Sequence, residues 1–306
     1  MPTSRRKKSS SQVTSRSLSY GRPPSLPKPR SILSSRASRR VIRLHHNLRK
    51  AHAQALASND HERASQIQRR IDASGGLPTY QTASIAGQSS SRGGDSSKIL
   101  VEWLGNARRH ALRSPVASQW NDCRLRMLEV GALSTTNACS RSKLFHVTRI
   151  DLHAQGSGIL QQDFMERPFP QSEQEKFDVI SLSLVLNYVP DPKGRGDMLR
   201  KTRSFLRLNV GDELENVQAE DNDDEKLFPC LFLVLPVSCM TNSRYLLMDR
   251  LIMMMESLGY KLAEQKLSAR LAYSLWRWRG CEEHRAFSKT EINPGKTRNN
   301  FAIVLD

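Results

Sequence analysis

The chain has 306 residues and carries 47 Lys and Arg against 30 Asp and Glu, a net charge of +17. Hydrophobic residues make up 38% and aromatics 6%, enough for one core of about 200 residues within a length that allows one or two domains. No run of about 18 apolar residues, no apolar signal segment and no C-x-x-C pair among five widely spaced cysteines is present, which argues against a membrane span, secretion, a zinc ribbon or a disulfide framework, and for a reducing compartment.

The charge is lopsided. Residues 1–50 hold 14 Lys and Arg and no acid, and the first carboxylate is Asp60. The remaining 256 residues carry 33 basic and 30 acidic side chains. A nearly neutral body with a basic arm seeks a polyanion, most often nucleic acid. Residues 1–31, rich in Ser, Arg, Lys and Pro, are expected to be a disordered tail. The run Arg5-Arg6-Lys7-Lys8 reads as a nuclear or nucleolar targeting cluster.

Residues 32–98 read as a helical hairpin followed by a Gly/Ser-rich segment. Leu33, Ala37, Val41, Leu44 and Leu48 recur at helical spacing, Asn59-Asp60 breaks the pattern, and Ala64, Ile67 and Ile71 resume it. Arg39, Arg40, Arg43, Arg49 and Lys50 give the first helix a one-signed face suited to phosphates. Gly75–Lys98 is rich in turn residues, and Asp95 or Ser96 can cap a helix carrying Ile99, Leu100, Trp103 and Leu104.

Residues 99–306 read as one α/β domain. Predicted strands are 124–130, 145–150, 158–162, 177–182, 229–237, 260–267 and 299–305, with helices after Pro192 and over 243–258. The alternation predicts a doubly wound, mostly parallel seven-stranded sheet. Residues 209–226 contain eight acids and read as a disordered insertion.

Ligands of such sheets bind beyond the carboxyl ends of the strands. Gly131 ends the first strand and permits a close approach. Asp151 ends the second and can accept both hydroxyls of a ribose. Asp163-Phe164 ends the third, where the carboxylate can take an adenine amino proton and the ring can cover the base. Ser181 and Ser183 close the fourth. Only Gly131 stands where a dinucleotide site needs three glycines for a pyrophosphate. The outline therefore fits S-adenosylmethionine, which has no phosphate.

Several tracts carry a resemblance. They are Gly-Gly-Leu-Pro-Thr-Tyr-Gln-Thr-Ala-Ser (75–84), Arg-Gly-Gly-Asp-Ser-Ser-Lys (92–98), Glu-Val-Gly-Ala-Leu (129–133), Ile-Asp-Leu (150–152), Gly-Ile-Leu-Gln-Gln-Asp-Phe-Met (158–165), Phe-Asp-Val-Ile-Ser-Leu-Ser-Leu-Val-Leu-Asn-Tyr-Val-Pro-Asp-Pro (177–192) and Asn-Ser-Arg-Tyr-Leu (242–246). Over about residues 28–306 the chain resembles the fungal nucleolar 25S rRNA adenine-N1 methyltransferases. The resemblance implies a class I, Rossmann-like S-adenosylmethionine-dependent methyltransferase fold and a role in ribosome biogenesis. It implies that Gly131 and Asp151, with Asp163, Phe164, Ser181 and Arg92, bind the cofactor. Arg92 is suited to pair with the methionine carboxylate.

Methyl transfer to N1 of adenine needs alignment rather than a strong base, because N1 already has an in-plane lone pair. N1 lies on the Watson–Crick edge, so the adenine must be unpaired or flipped out. Asn187 is the candidate catalytic residue, accepting an N6 proton, and Tyr188 is placed to stack on the base. Large-subunit rRNA or a pre-ribosomal particle is the expected partner, met through the basic arm. No metal is expected, and the protein is expected to be a nucleolar monomer. Two competing readings share these residues: an S-adenosylmethionine sensor of the TOR nutrient pathway, as the related animal proteins resemble, and a small-molecule methyltransferase. Neither needs the basic arm.

Overall fold

The computed structural model describes residues 34–88, 94–111, 124–154, 156–207, 227–280 and 285–306. The basic tail, Arg92 and the acidic insertion lie outside them. The chain runs through α1 (Ser35–Ala57), α2 (His61–Ala73), α3 (Gly76–Gln88), α4 (Ser97–Ala111), β1 (Leu125–Val130), α5 (Ala138–Arg141), β2 (Phe145–Asp151), β3 (Leu160–Gln161), β4 (Val179–Ser183), α6 (Pro192–Ser204), β5 (Cys230–Pro236), α7 (Val237–Thr241), α8 (Met248–Ser257), β6 (Tyr260–Leu267) and β7 (Leu271–Trp278).

One mixed seven-stranded sheet has the order β3-β2-β1-β4-β5-β7-β6. The first five strands are parallel, and β7 is antiparallel to both β5 and β6. Strands buried on both faces need continuous apolar runs, and β5 is such a run, with six of its seven residues buried. One face packs Leu128, Ile180, Leu182 and Leu233 against Leu199 of α6 and Met254 and Met255 of α8. The other packs Met127, Val179 and Phe232 against Leu100 and Leu104 of α4.

The amino-terminal helices form a smaller layer. Ser34 caps α1 by accepting from the N–H of Ala37, and Asp60 caps α2 by accepting from Arg63 N–H at 3.0 Å. Leu48 and Ala55 of α1 bury against Ala64, Ile67 and Ile71 of α2. The expected hairpin is extended by a third helix. The segment read as Gly/Ser-rich turns is helical over Gly76–Gln88, with Ala83 fully buried and Gln81 and Ser84 nearly so. Turn-forming residues there start the helix instead of preventing it: Gly75 and Gly76 take positive φ at the α2–α3 corner.

Two other expectations fail. Residues 299–305 are not a sheet strand. They form an extended cover, bridging only at Asn299 and Leu305, and Val304 N–H donates to Pro192 O. The seventh strand is Leu271–Trp278. A short apolar run does not reveal whether its backbone partners are a ladder or a neighbouring loop. The helix expected over 243–258 is only α8, Met248–Ser257, preceded by a turn at Ser243. Its Oγ accepts from Tyr245 and Leu246 N–H and donates to Phe301 O.

Candidate functional site

Sheet register gathers the strand ends. Val130 pairs with Ile150 and with Leu182, so Gly131, Asp151 and Ser183 stand side by side one residue further on. Asp151 also pairs with Gln161, two residues before Asp163. Gly131 has φ +75°, and a Cβ on it would lie 2.6 Å from Val185 Cγ2. Both facts demand glycine. Its N–H donates to Ile150 O at 2.8 Å, which turns the chain sharply off β1.

Asp151 Oδ1 accepts from His153 N–H at 2.8 Å. Burial raises its pKa above the ordinary carboxylate value, with the His153 N–H bond opposing. Asp163 Oδ1 accepts from Met165 N–H at 2.7 Å and so shapes the turn after β3. The ring of Phe164 is only 2% exposed and packs in the core against Phe205, with ring centroids 5.4 Å apart. It is committed to the core and does not offer a face to a base, contrary to the sequence expectation. An aromatic between a turn and an apolar layer fills the larger void. Ser181 is buried within β4, beside Glu129 in register and on the α4 side of the sheet.

Glu129 is the residue that sequence reasoning passed over. Its Oε1 accepts from Asn137 Nδ2 at 2.6 Å, and Arg149 Nε lies 4.0 Å from Oε2. Oε2 is buried and accepts no hydrogen bond among the described residues. Burial, opposed by Arg149 and Asn137, pushes its pKa up to about 7. The start of α4 is fastened beside it. Asp95 accepts from Ser97 N–H and Oγ–H through Oδ1 and from Ala138 N–H through Oδ2, and the Ser96 and Ser183 hydroxyls are 2.7 Å apart. Arg92 precedes this junction by three residues.

The helical layer closes one side of the strand ends. Gln81 Nε2 of α3 donates to His153 O at 3.1 Å, next to Asp151. Tyr80 of α3, His46 of α1 and Tyr188 of the single turn Leu186–Tyr188 form one aromatic cluster. The His46 and Tyr188 ring centroids are 3.8 Å apart, and those of Tyr80 and Tyr188 are 5.8 Å apart. His45 stacks on Tyr80 at 4.6 Å. Tyr188 therefore already carries a ring from α1, where the sequence suggested a stacked base. Burial, with His45 nearby, pushes the His46 pKa down to about 4, so the cluster is neutral. The signal for it was present in Thr79-Tyr80-Gln81, which no hydrophobic pattern explains.

Asn187 stands in the same turn, and its Oδ1 is buried without a hydrogen-bond partner among the described residues. Leu184, between β4 and this turn, has φ +58°, a costly conformation for a branched side chain. The strain lies where the chain leaves the sheet edge. A larger cavity, about 330 Å³, opens elsewhere, beside Arg126, Arg167 and Phe177, and holds none of the predicted residues.

Residues 65–303 match the model of the family described as 25S rRNA (adenine(2142)-N(1))-methyltransferase, Bmt2. The chain is 37% identical over 243 residues to the Saccharomyces cerevisiae 25S rRNA (adenine(2142)-N(1))-methyltransferase, covering 78% of this chain and 63% of that one. It is 35% identical over 267 residues to the Schizosaccharomyces pombe 25S rRNA adenine-N(1) methyltransferase, covering 86% of this chain and 90% of that one. The match thus spans less than two thirds of the budding-yeast relative and nearly all of the fission-yeast one. With the family model covering residues 65–303, from α2 to the carboxyl-terminal cover, the chain belongs to the Bmt2 family of 25S rRNA adenine-N(1) methyltransferases.

Proposed function

We propose that this protein transfers a methyl group from S-adenosylmethionine to N1 of an adenine in large-subunit rRNA, on a class I methyltransferase fold. The observation that carries the reading is the shared level of Gly131, Asp151 and Ser183, beside a buried carboxylate oxygen, Glu129 Oε2, that accepts no hydrogen bond among the described residues. That donor and acceptor set fits the cofactor. Asp151 Oδ2 is not engaged by the described residues and is suited to ribose hydroxyls. Glu129 Oε2 is suited to the ammonium of the methionine portion. Gly131 allows the close approach, Asp163 receives the adenine amino group, and Ser181 backs the site. Arg92 is assigned to the carboxylate by resemblance alone.

S-adenosylmethionine, when bound, supplies an electrophilic methyl group on a sulfonium. This chain's residues supply alignment and a dry enclosure. Asn187 Oδ1, buried and without a hydrogen-bond partner among the described residues, accepts a hydrogen bond from the adenine N6 amino group and so orients N1. No general base is required. The neutral His46–Tyr80–Tyr188 cluster adds no positive charge beside the turn that bears Asn187. We further assign the protein to the nucleolus, where its substrate is assembled, as a monomer that meets rRNA through its basic amino-terminal arm.

The test is methyl transfer from labelled S-adenosylmethionine to large-subunit rRNA that lacks the modification, followed by digestion to nucleosides. Labelled 1-methyladenosine is the expected product. Label in any other nucleoside, or none from a sample that binds the cofactor, would overturn the assignment.

A further inference from the structure

At the seam between α1 and α6 lies a cavity of about 220 Å³. Lys50, Gln54, Asp191, Arg195, Lys289 and Asn300 line it. Its floor includes Pro190, three residues beyond Asn187. Three cations converge there, and among the described residues none forms an ion pair with a carboxylate. Arg195 is 5% exposed, and its guanidinium donates to the carbonyls of Val189, Pro190 and Ala302 while lying over the Phe301 ring. Carbonyl dipoles solvate this charge but do not cancel it. The Lys289 ammonium rests over the Tyr245 ring, 4.7 Å from its centroid, another neutral partner. Burial, then Arg195 and Lys289, lower the Lys50 pKa. The one acid that lines it, Asp191, caps α6 by accepting from Gly194 N–H through Oδ1 and attracts the Arg195 charge without pairing with it.

The rest of α1 points to what completes this charge. Arg36, Arg40, Arg43 and Lys50 fall at steps of four, three and seven residues, which puts them on one helix face. The three arginines are exposed, and the half-buried lysine ends the row inside the cavity. The opposite face, with Leu48 and Ala55, is buried on α2. A row of exposed guanidinium groups leading to a cation-lined hollow beside the strand-four turn is an electrostatic track with an end.

We propose that this hollow seats a backbone phosphodiester of the RNA strand, held by Lys50 and Lys289, with Arg195 supplying buried positive charge and the α1 arginines guiding the strand towards Asn187. The proposal rests on the rRNA methyltransferase reading and adds to it the place where the backbone enters. Phosphate contacts fix the register of a nucleic acid without reading its sequence. A fixed phosphate near Pro190 therefore determines which nucleotide reaches the turn.

The experiment uses the full chain with Lys50→Gln and Lys289→Gln together, and Lys266→Gln on β6 as an exposed control of the same type. Affinity for a single-stranded fragment of large-subunit rRNA is measured against salt concentration, alongside cofactor affinity and methyl transfer. The double variant is expected to bind RNA more weakly and to lower the slope of log affinity against log salt by about 1.4, roughly 0.7 for each lost contact. Cofactor affinity and the control are expected to match wild type. A wild-type slope in the double variant would overturn the seat while leaving the enzyme reading intact. A wild-type protein that neither binds nor methylates rRNA would overturn both. If the double variant is less stable, Lys50→Arg with Lys289→Arg decides: a preserved slope supports the seat, and a lost one refutes it.

Discussion

Single side chains at the strand ends carry the most testable claims. Asp151 stands at a strand end with one carboxylate oxygen held by His153 N–H and the other unengaged by the described residues. Its replacement by Ala is expected to weaken the proposed cofactor by about 1.5–3 kcal/mol, the range for a charge-assisted pair, and titration calorimetry checks this. An unchanged affinity would remove Asp151 from the site. Glu129 makes a pH prediction. Burial pushes its pKa up to about 7 in the folded chain, against 4.5 for an ordinary glutamate carboxyl. Between those values the folded state binds more protons than the unfolded one, so stability falls as pH rises through the window. Cofactor affinity should rise over the same window, because the ammonium needs the ionised carboxylate. Glu129→Gln should flatten both profiles; a variant with the wild-type profiles would assign the titration elsewhere. The strand ends that bear Gly131, Asp151 and Asp163 were legible in the sequence because a strand end is marked by where an apolar run meets a polar residue. Glu129 was not, because its distinction lies in the loss of solvent and partners, which only three dimensions reveal. The Phe164 ring shows the reverse failure: position identified the turn, but packing decided where the ring went.

Among the elements, the parallel half of the sheet was readable from apolar runs of four to seven residues. At the antiparallel edge β6 was readable and β7 was not, since β7 and the carboxyl-terminal segment are both apolar and only one of them finds a ladder. Helix α3 was hidden because Gly75, Gly76 and Pro78 resemble a loop when the burial of Gln81, Ala83 and Ser84 is unknown. Contact between α6 and the terminal cover is close enough to test. A Cβ at Gly196 would fall 1.8 Å from Val304 O, a backbone atom that cannot rotate away. Gly196→Ala is expected to cost about 1–3 kcal/mol or more through displacement of the cover, seen as a lower denaturant midpoint. Because Arg195 ties Val189, Pro190 and Ala302 together, methyl transfer should fall with it. A variant as stable as wild type would mean that the cover moves freely.

For the whole molecule, the boundary between basic arm and folded body lies inside the arm. The basic run extends to residue 50, but the helical pattern was read from residue 32, and α1 begins at Ser35 with side chains that pack on α2, on Tyr188 and on the α6 seam. Deleting residues 1–33, which removes eight Lys and Arg, is therefore expected to preserve folding and cofactor affinity while lowering the salt dependence of RNA binding. An unaltered salt slope would show that this segment does not touch RNA. Deletion through residue 57 should instead expose the α2 face and reduce stability.

The His46–Tyr188 contact has a kinetic corollary. It joins the helical layer to the turn that bears Asn187. A spent cofactor that left the proposed site past this contact would have to part the two rings first. Turnover would then be timed by how often this contact breaks, with the chemical step waiting on release. His46→Ala is expected to speed dissociation of S-adenosylhomocysteine in stopped-flow chase experiments far more than it changes association. Equal effects on both rates would mean that the ligand comes and goes by another way.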